Sequence, residues 1–469
     1  MQKRTKIIAT LGPASDAEEK IEGMIREGVS VFRFNMKHGD MEWHKERIKR
    51  VQQVADRIEQ PIGILIDLQG FEIRIETREE KEMTVKKGDV FVFGNSFENE
   101  EADAIIPQDV VFESLSEGDT FLIDDGSIKF TVKEKRDGMI FGEVKNGGVV
   151  KHKKSMNIPG KHINISSIID SDLKKLDSMA EEKVDFVTLS FARSKEDVEM
   201  LRKELEERNI EAAIVAKIES EQALRNIDEI IEVSDVVMIA RGDLGVEIPI
   251  GELAFWQRKI INKCRLKRKA VIVATQMLYS MIDNPRPTRA EATDVANAVF
   301  NGTDAVMLSE ETAMGRYAVE VITAMKEILA FNEQFDVFEK VRLDMQNPTD
   351  FIINSAAVMT ESRKLKTDMA VVFTQTGYSA KTLSTFRLPL PIVAITDSAK
   401  TAEILTLYYG VTPIHFPSLT HEFQSSEFIL ERLREKGVDL PEDTMIIIHG
   451  QHKKQEEPTK NALTFVTLT

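Results

Sequence analysis

Cysteine is nearly absent. Cys264 is the only one in 469 residues. No disulfide can form within the chain, and a reducing compartment is expected. Long apolar runs are missing too. No stretch approaches the ~20 apolar residues that a membrane-spanning helix requires. The N-terminus, MQKRTKIIATLGPAS, has no long apolar core of a signal peptide and runs directly into a strand pattern. A cytoplasmic location and no membrane partner are the expectation. An excess of basic charge is also lacking, since 62 Lys and Arg against 78 Asp and Glu leave a net charge of −16. This excludes a general binder of nucleic acid or of membrane surfaces. It leaves room for a local basic pocket that takes an anionic metabolite. No low-complexity tract occurs, and HKKQEEPTKN (452–461) reads as an exposed loop.

What is present is an ordinary hydrophobic content of 42 % in a chain too long for one core. Two or three domains are expected. Short, near-continuous apolar runs recur: KIIAT (6–10), SVFRF (30–34), GILID (63–67), DFVTLS (185–190), AAIVAKI (212–218), DVVMIA (235–240), AVIVAT (270–275) and DAVMLS (304–309). Each ends in polar residues and leads into a helical pattern. Runs that are apolar throughout suit parallel strands covered on both faces. Eight such units suggest an α/β (β/α)₈ barrel, with a doubly wound sheet as the alternative. The barrel is expected over residues 1–71 and 156–337. Between them, 72–155 carry short alternating runs and Asp-Gly or Gly-Gly turns, as in LIDDGSI, KRDGMI and KNGGVV. These are hairpin signals, and they predict a small β domain inserted after the third barrel strand, placed to act as a lid. A separate C-terminal α/β domain is expected over 338–469, with strands at MAVVFT, PIVAIT, TPIHF, TMIIIH and ALTFVTL.

Barrel enzymes draw their reactive groups from strand C-termini. Here those ends supply Arg33 and Asn35, Asp67, Lys217 and Glu219, Arg241 and Asp243, Thr275 and Gln276, and Ser309 and Glu311. Glu219 and Asp243 are hard oxygen ligands on neighbouring strands and suit Mg²⁺, which takes one or two carboxylates and leaves positions for water and substrate. The bland alternative is two solvated carboxylates at loop starts. Lys217, among apolar residues and two positions before Glu219, shares a side of the strand with it. It would neutralise a phosphoryl group or an enolate oxygen, or else merely pair with a carboxylate. ARGDLG can open a short helix in which Gly242 lets a ligand approach the backbone amides, although Gly-Asp is also an ordinary turn.

These residues, taken with TKIIATLGPAS, AKIES, ARGDLGVEIP, ATQML and NPRPTRAEATDVANAV, resemble the pyruvate kinase family along nearly the whole chain. KKSMNIPG and LIDDGSI match it more loosely. The resemblance implies phosphoryl transfer from phosphoenolpyruvate to ADP, giving pyruvate and ATP. It also implies a TIM barrel with a small inserted β-barrel lid and a C-terminal regulatory domain, usually in a homotetramer. Carried over residue by residue, Lys217 would stabilise the moving phosphoryl group and the enolate, and Arg33 would bind the phosphoryl group. Glu219 and Asp243 would hold Mg²⁺ or Mn²⁺. Thr275 and the amides of Gly242 and Asp243 would bind the carboxylate. Asn35, His38, Arg74 and Lys154 match nucleotide-side positions, and Ser309 the proton-relay side.

The chain also departs from the family. It reads NMKHG where the family reads N-F-S-H-G, and DLQGFE (67–72) where the family reads D-T-K-G-P-E. In relatives those stretches build a monovalent cation site, here matched by Asn35, Lys37, Asp67 and the backbone of Leu68. The serine ligand is gone. A lysine ammonium can donate to Asp67 and Asn35 oxygens but cannot hold an ion. Lys37 is therefore expected to replace K⁺, unless it swings to solvent and the ion still binds. Potassium-independent relatives often carry lysine at the position of Glu72, which this chain leaves as glutamate. Glu310 replaces a glycine beside Ser309. TQTGYSAKTLS resembles the family's phosphate-binding effector loop, with Thr374, Thr376, Gly377 and Ser379, or is an ordinary capped turn. GQHKKQEEPTKN replaces the glycine-rich loop that closes the effector site, which puts sugar-bisphosphate activation in doubt. The competing readings are a metal-dependent pyruvate or enolpyruvate lyase and a catalytically silent metabolite sensor.

Overall fold

The computed structural model describes residues 3–467 apart from 162, 164, 336–337, 362–366, 418–425, 439, 441–443 and 451–460. Eight parallel strands close into a barrel. In chain order they are Lys6–Thr10, Val29–Asn35, Gly63–Asp67, Phe186–Leu189, Ala213–Ile218, Val236–Ala240, Ala270–Ala274 and Ala305–Leu308. The doubly wound alternative is thereby removed. Closure is made where Lys6 pairs with Ala305 and Ala9 with Leu308. The strands are buried on both faces, which explains their unbroken apolar runs. Ile8, Val31, Leu65, Val215, Met238, Ile272 and Met307 belong to one core, while Ile7, Phe32, Ile64, Ile214 and Val237 pack in a second with the surrounding helices. This is the alternation that a filled barrel requires.

The C-terminal domain has a five-stranded sheet with Met369–Phe373 in its centre. Ile392–Thr396, Val411–His415 and Thr444–Gly450 run parallel with it, and Asn461–Thr467 returns antiparallel. This domain seals the N-terminal end of the barrel, opposite the strand ends that carry the chemistry. A Cβ on Gly63 would stand 2.9 Å from both Phe186 and the Thr406 hydroxyl, so the domains are in tight contact there. The seam is polar at its centre. Arg387 donates to Asp304 at 2.7 Å, with the two side chains 1 % and 3 % exposed. It also donates to the Gly302 carbonyl at 2.8 Å. Lys400 reaches Asp185 at 2.9 Å. Asp185 and Asp304 each directly precede a barrel strand or its first turn, so the seam ties to the strand starts.

The insertion forms a seven-stranded sheet and a two-stranded ribbon. Its sheet runs from Glu76–Thr77 to Met156–Asn157, the latter pairing with Thr120–Ile123. Phe91, Phe93, Phe121 and Phe130 fill its core, with Phe121 and Phe130 stacked at 5.2 Å. The predicted Asp-Gly turn is present, with Asp124, Asp125 and Gly126 all at positive φ. Gly126 lies against Val246 on the helix after the sixth barrel strand, and Asn157 donates to Glu247 on that helix at 3.1 Å. The insertion therefore rests on the rim of the site. Helices at that rim are short, and among the described residues no helix is long and apolar enough to cross a membrane.

Candidate active site

Strand five ends with Lys217 and Glu219 on the same side, as period-two geometry dictates. The Lys217 ammonium is 2.7 Å from Glu219 Oε1 and 3.9 Å from Asp67 Oδ1, and it donates to Ser190 Oγ at 3.1 Å. Burial alone would lower the Lys217 pKa, but Asp67, Glu219 and Asp243 together outweigh it and hold the group firmly charged. Burial pushes the Glu219 carboxyl upward against the pull of Lys217, and Asp243 adds to the rise. Glu219 also accepts the Phe191 amide at 2.6 Å. A buried carboxylate whose pKa rises beside a second carboxylate is short of positive charge. That is the electrostatic condition a divalent cation relieves.

Strands two and three supply the other half. Arg33 donates through Nε to Asp67 Oδ2 at 2.7 Å and through Nη1 to Thr10 Oγ1 at 3.0 Å. Asp67 Oδ1 is buried without a hydrogen-bond partner. The DLQGFE turn is held from below by Asp172, which accepts the amides of Gln69 and Gly70 at 3.0 Å each. Gly70 is required there. Its φ is +67°, and a Cβ would come within 2.8 Å of Ser190.

The ARGDLG segment does open a helix, Arg241–Glu247. Arg241 is buried and structural, bound to Asp294 at 2.7 Å and to the Thr275 carbonyl at 2.7 Å. The Gly242 amide donates to Thr275 Oγ1 at 2.8 Å, and Thr275 itself has φ +70°. A Cβ on Gly242 would make only ordinary contact, 3.5 Å from Thr275 Oγ1. Nothing in the chain itself demands glycine at this point. A cleft of about 380 Å³ runs between insertion and barrel, lined by Glu219, Asp243, Glu247 and Glu72. On strand eight the Ser309 amide donates to the buried Glu311 at 2.7 Å. Glu310 is exposed on the rim and raises the Tyr279 pKa by its charge and by accepting the hydroxyl.

The family model described as pyruvate kinase, barrel domain, matches residues 2–322, and that described as pyruvate kinase, alpha/beta domain, matches residues 353–463. The chain belongs to the pyruvate kinase family. It is 38 % identical to pyruvate kinase of Bacillus licheniformis, covering 96 % of this chain and 76 % of the relative. It is 39 % identical to that of Clostridium acetobutylicum, over 94 % of this chain and 93 % of the relative. Against that of Thermotoga maritima it is 36 % identical, over 96 % of each.

The structure corrects the expected partner of Lys37, the residue at which the chain departs from its family. Its ammonium does not reach Asp67. It lies 2.7 Å from Glu72 Oε2, with 32 % and 17 % of the two side chains exposed. Glu72 also receives Arg74 at 2.9 Å. Only the Lys37 backbone contacts Asn35, donating to Oδ1 at 3.2 Å. The physical reason is solvation. Asp67 is already satisfied on one oxygen by Arg33 in a buried site, whereas Glu72 offers a half-open carboxylate that needs less desolvation. The Leu68 carbonyl, expected as a cation ligand, accepts the Ser190 hydroxyl at 2.7 Å.

Of the family's nucleotide-side positions, His38 lies exposed near Lys37, Arg33 and Arg74. Burial first and then those cations lower its pKa. Lys154 is turned within the insertion to Asp124 at 2.7 Å. In the effector-like stretch, Gly377 begins the helix Tyr378–Thr385 at φ +82°. Thr376 is exposed, while Thr374 and Ser379 are buried. The replaced closing loop lies, from 451 to 460, outside the described residues. Thr10, Ser190 and Asp172 were missed in the sequence. Thr10 and Ser190 close the first and fourth strand units, and a complete list of all eight strand ends would have included both.

Proposed function

We propose that this enzyme moves the phosphoryl group of phosphoenolpyruvate to ADP, giving pyruvate and ATP, as in glycolysis. The P–O bond to the enol oxygen breaks, one forms to the terminal phosphate of ADP, and the enolate carbon then takes a proton. The observation that carries the reading is the Lys217 ammonium, held charged between Glu219 and Asp67 with Arg33 on the far side of Asp67. Phosphoryl transfer needs positioning and charge neutralisation more than covalent help. Lys217 meets the negative charge of the phosphoryl group and of the developing enolate, and Arg33 meets the phosphoryl oxygens. The first-turn amides of Arg241–Glu247 and the Thr275 hydroxyl meet the carboxylate. A ligand that takes the Gly242 amide must displace Thr275 Oγ1 from it, and the missing Cβ leaves room for that approach. Ser309 stands on the side from which the proton is delivered. Asn35, His38, Arg74 and Lys154 receive the nucleotide, Lys154 by leaving Asp124. The insertion keeps water from the phosphoryl group.

Glu219 and Asp243 fit Mg²⁺ or Mn²⁺ as hard oxygen donors short of positive charge. Among the described residues no group of three or more His, Cys, Asp and Glu forms a self-sufficient metal cage. Substrate oxygens and water would complete the shell. When bound, the ion neutralises charge on the phosphoryl oxygens.

Lys37 supplies the charge that relatives borrow from K⁺. Arg33, Lys37, Lys217 and Arg74 stand against Asp67, Glu72 and Glu219. Serine at position 37 would remove one positive charge from this set, the same charge a bound K⁺ restores. Lys37 acts by neutralising Glu72 rather than by occupying the ion's place on Asp67. A homotetramer is the proposed assembly, since NPRPTRAEATDVANAV resembles the helix that packs between subunits in the family. The effector-like turn would take a phosphate through Thr376 and the amides at Gly377.

The test is incubation with phosphoenolpyruvate, ADP and Mg²⁺. ATP and pyruvate in equal amounts support the kinase. Pyruvate or a cleavage product without ATP favours the lyase, and no turnover favours the silent sensor.

A further inference from the structure

The turn that carries Lys37 and His38 leaves the barrel at the end of strand two. Residues 37–40 are exposed, so burial does not fix their backbone. Within the turn, the His38 amide donates to the Asn35 carbonyl and the Lys37 amide to Asn35 Oδ1, both at 3.2 Å. The Met36 amide ties the start of the turn to the Asp67 carbonyl at 3.0 Å. The next anchor is the His38 carbonyl, which accepts from His44 Nε2 at 2.7 Å.

His44 lies on the inner face of the helix Met41–Arg57 and is 2 % exposed. Ile48, Val51, Val54 and Ala55 make up the rest of that face. A carbonyl can only accept, so the ring proton sits on Nε2. Nδ1 is then left as an acceptor, and it is buried without a partner. Burial lowers the ring's pKa, with the His38 carbonyl and Asp40 opposing and Lys175 and Arg47 adding to the fall. Phe34 and Trp43 meet the ring edge-on at 6.1 and 5.0 Å and fix its plane. Gly39 has φ +77°, and a Cβ there would stand 3.4 Å from His44 Nε2 and 3.5 Å from the Trp43 ring. Glycine therefore lets the turn lie over the imidazole. A leucine would fill the same stripe without desolvating two ring nitrogens. What the histidine adds is its bond to His38.

We infer, resting on the reading that this turn receives the nucleotide, that His44 is a positioning residue for ADP. Its ring holds the turn in the form in which Asn35 and His38 meet the nucleotide, and it acts through the His38 carbonyl. Phosphoenolpyruvate is indifferent to it, because Arg33 precedes the turn and is held separately by Asp67 and Thr10.

The test is calorimetric titration of the full chain with Mg²⁺, once with ADP and once with phosphoenolpyruvate. Glutamine can place an amide N–H where Nε2 stands, whereas asparagine reaches only the position of Nδ1. His44→Asn and His44→Leu should weaken ADP about 3- to 10-fold, the loss of one neutral hydrogen bond. His44→Gln should restore ADP affinity to within about twofold of the wild type. Phosphoenolpyruvate affinity should move less than about twofold in all three. Urea unfolding of each variant identifies loss of affinity that follows from loss of fold, and the Asn and Gln pair decides if His44→Leu does not fold. A histidine that merely packs would leave Asn and Gln alike. The proposal is overturned if ADP does not bind the wild type, if His44→Asn binds ADP as the wild type does, if His44→Gln is as weak as His44→Asn, or if phosphoenolpyruvate weakens in step with ADP. A wild type that binds ADP yet forms no ATP refutes the kinase reading, and the ADP affinities of the variants then still support or overturn the role of His44.

Discussion

Replacing Lys37 by serine separates catalytic charge from structural support. The Lys37–Glu72 pair is short, at 2.7 Å, but its side chains are 32 % and 17 % exposed. Half-exposed pairs contribute only about 0–1 kcal/mol to stability, and Arg74 remains on Glu72 at 2.9 Å in the variant. Lys37→Ser should therefore unfold in urea within about 1 kcal/mol of the wild type. Its effect on turnover should be far larger. Removing one fixed charge from a water-excluded phosphoryl site costs on the order of 10²-fold in kcat, about 2.7 kcal/mol. The assay follows ATP formation with either K⁺ or tetramethylammonium as the monovalent cation. The wild type should be nearly indifferent to the exchange. Lys37→Ser should be slow in tetramethylammonium and recover most of its rate in K⁺, because the substitution removes the fixed ammonium and adds a hydroxyl ligand near the already unpartnered Asp67 Oδ1. The reasoning is refuted if the wild type is itself activated more than about tenfold by K⁺, or if the variant keeps full rate without it.

Four other perturbations test different parts of the structure. Lys217→Met should lower kcat by about 10³-fold or more while ADP still binds, measured by single-turnover ATP formation and nucleotide titration. Gly242→Ala meets only ordinary contact with Thr275, so the urea midpoint should hold or rise while KM for phosphoenolpyruvate increases several-fold. Arg387→Met strips the buried Asp304 of its cation and should cost about 3–5 kcal/mol in urea unfolding, far from the active site. His38 and His44 both titrate below their ordinary value of 6.5, for which burial is the leading cause. The unfolded chain then binds more protons than the folded one, so stability is lost as pH falls below about 6.5. The double variant His38→Gln, His44→Gln should show a shallower loss in urea midpoints between pH 7 and 5.5.

The barrel was readable because its strands are buried on both faces. KIIAT and GILID have the bounds seen in space, and the other runs differ by one or two residues where strand passes into loop. Lys217 and Glu219 could be paired from period two alone. What the sequence could not give was choice among partners. The residue order leaves both Asp67 and Glu72 open to Lys37, and only in space, with Asp67 buried against Arg33, does the ammonium sit on Glu72. Arg241 shows the same limit. It stands at a strand end like the reactive residues, yet its guanidinium turns into the wall to hold Asp294 and the Thr275 carbonyl. Thr10 and Ser190 went unnoticed because a lone hydroxyl at a strand end carries no signal until its neighbours are known.

The closure of the barrel by Lys6 against Ala305 sets an order of events on the ribosome. The first strand must wait, with one edge unpaired, until the eighth has been synthesised. The insertion faces no such delay. Its aromatic core draws only on residues between Phe71 and Ile165, so its contacts are local and complete before the fourth barrel strand emerges. Local contacts form early, and long-range strand pairing is slow. The insertion should thus fold first as an independent unit beside three waiting strands. A destabilised insertion core, such as Phe130→Ala, should then leave the finished enzyme's barrel intact but increase the share of newly made chains lost to aggregation.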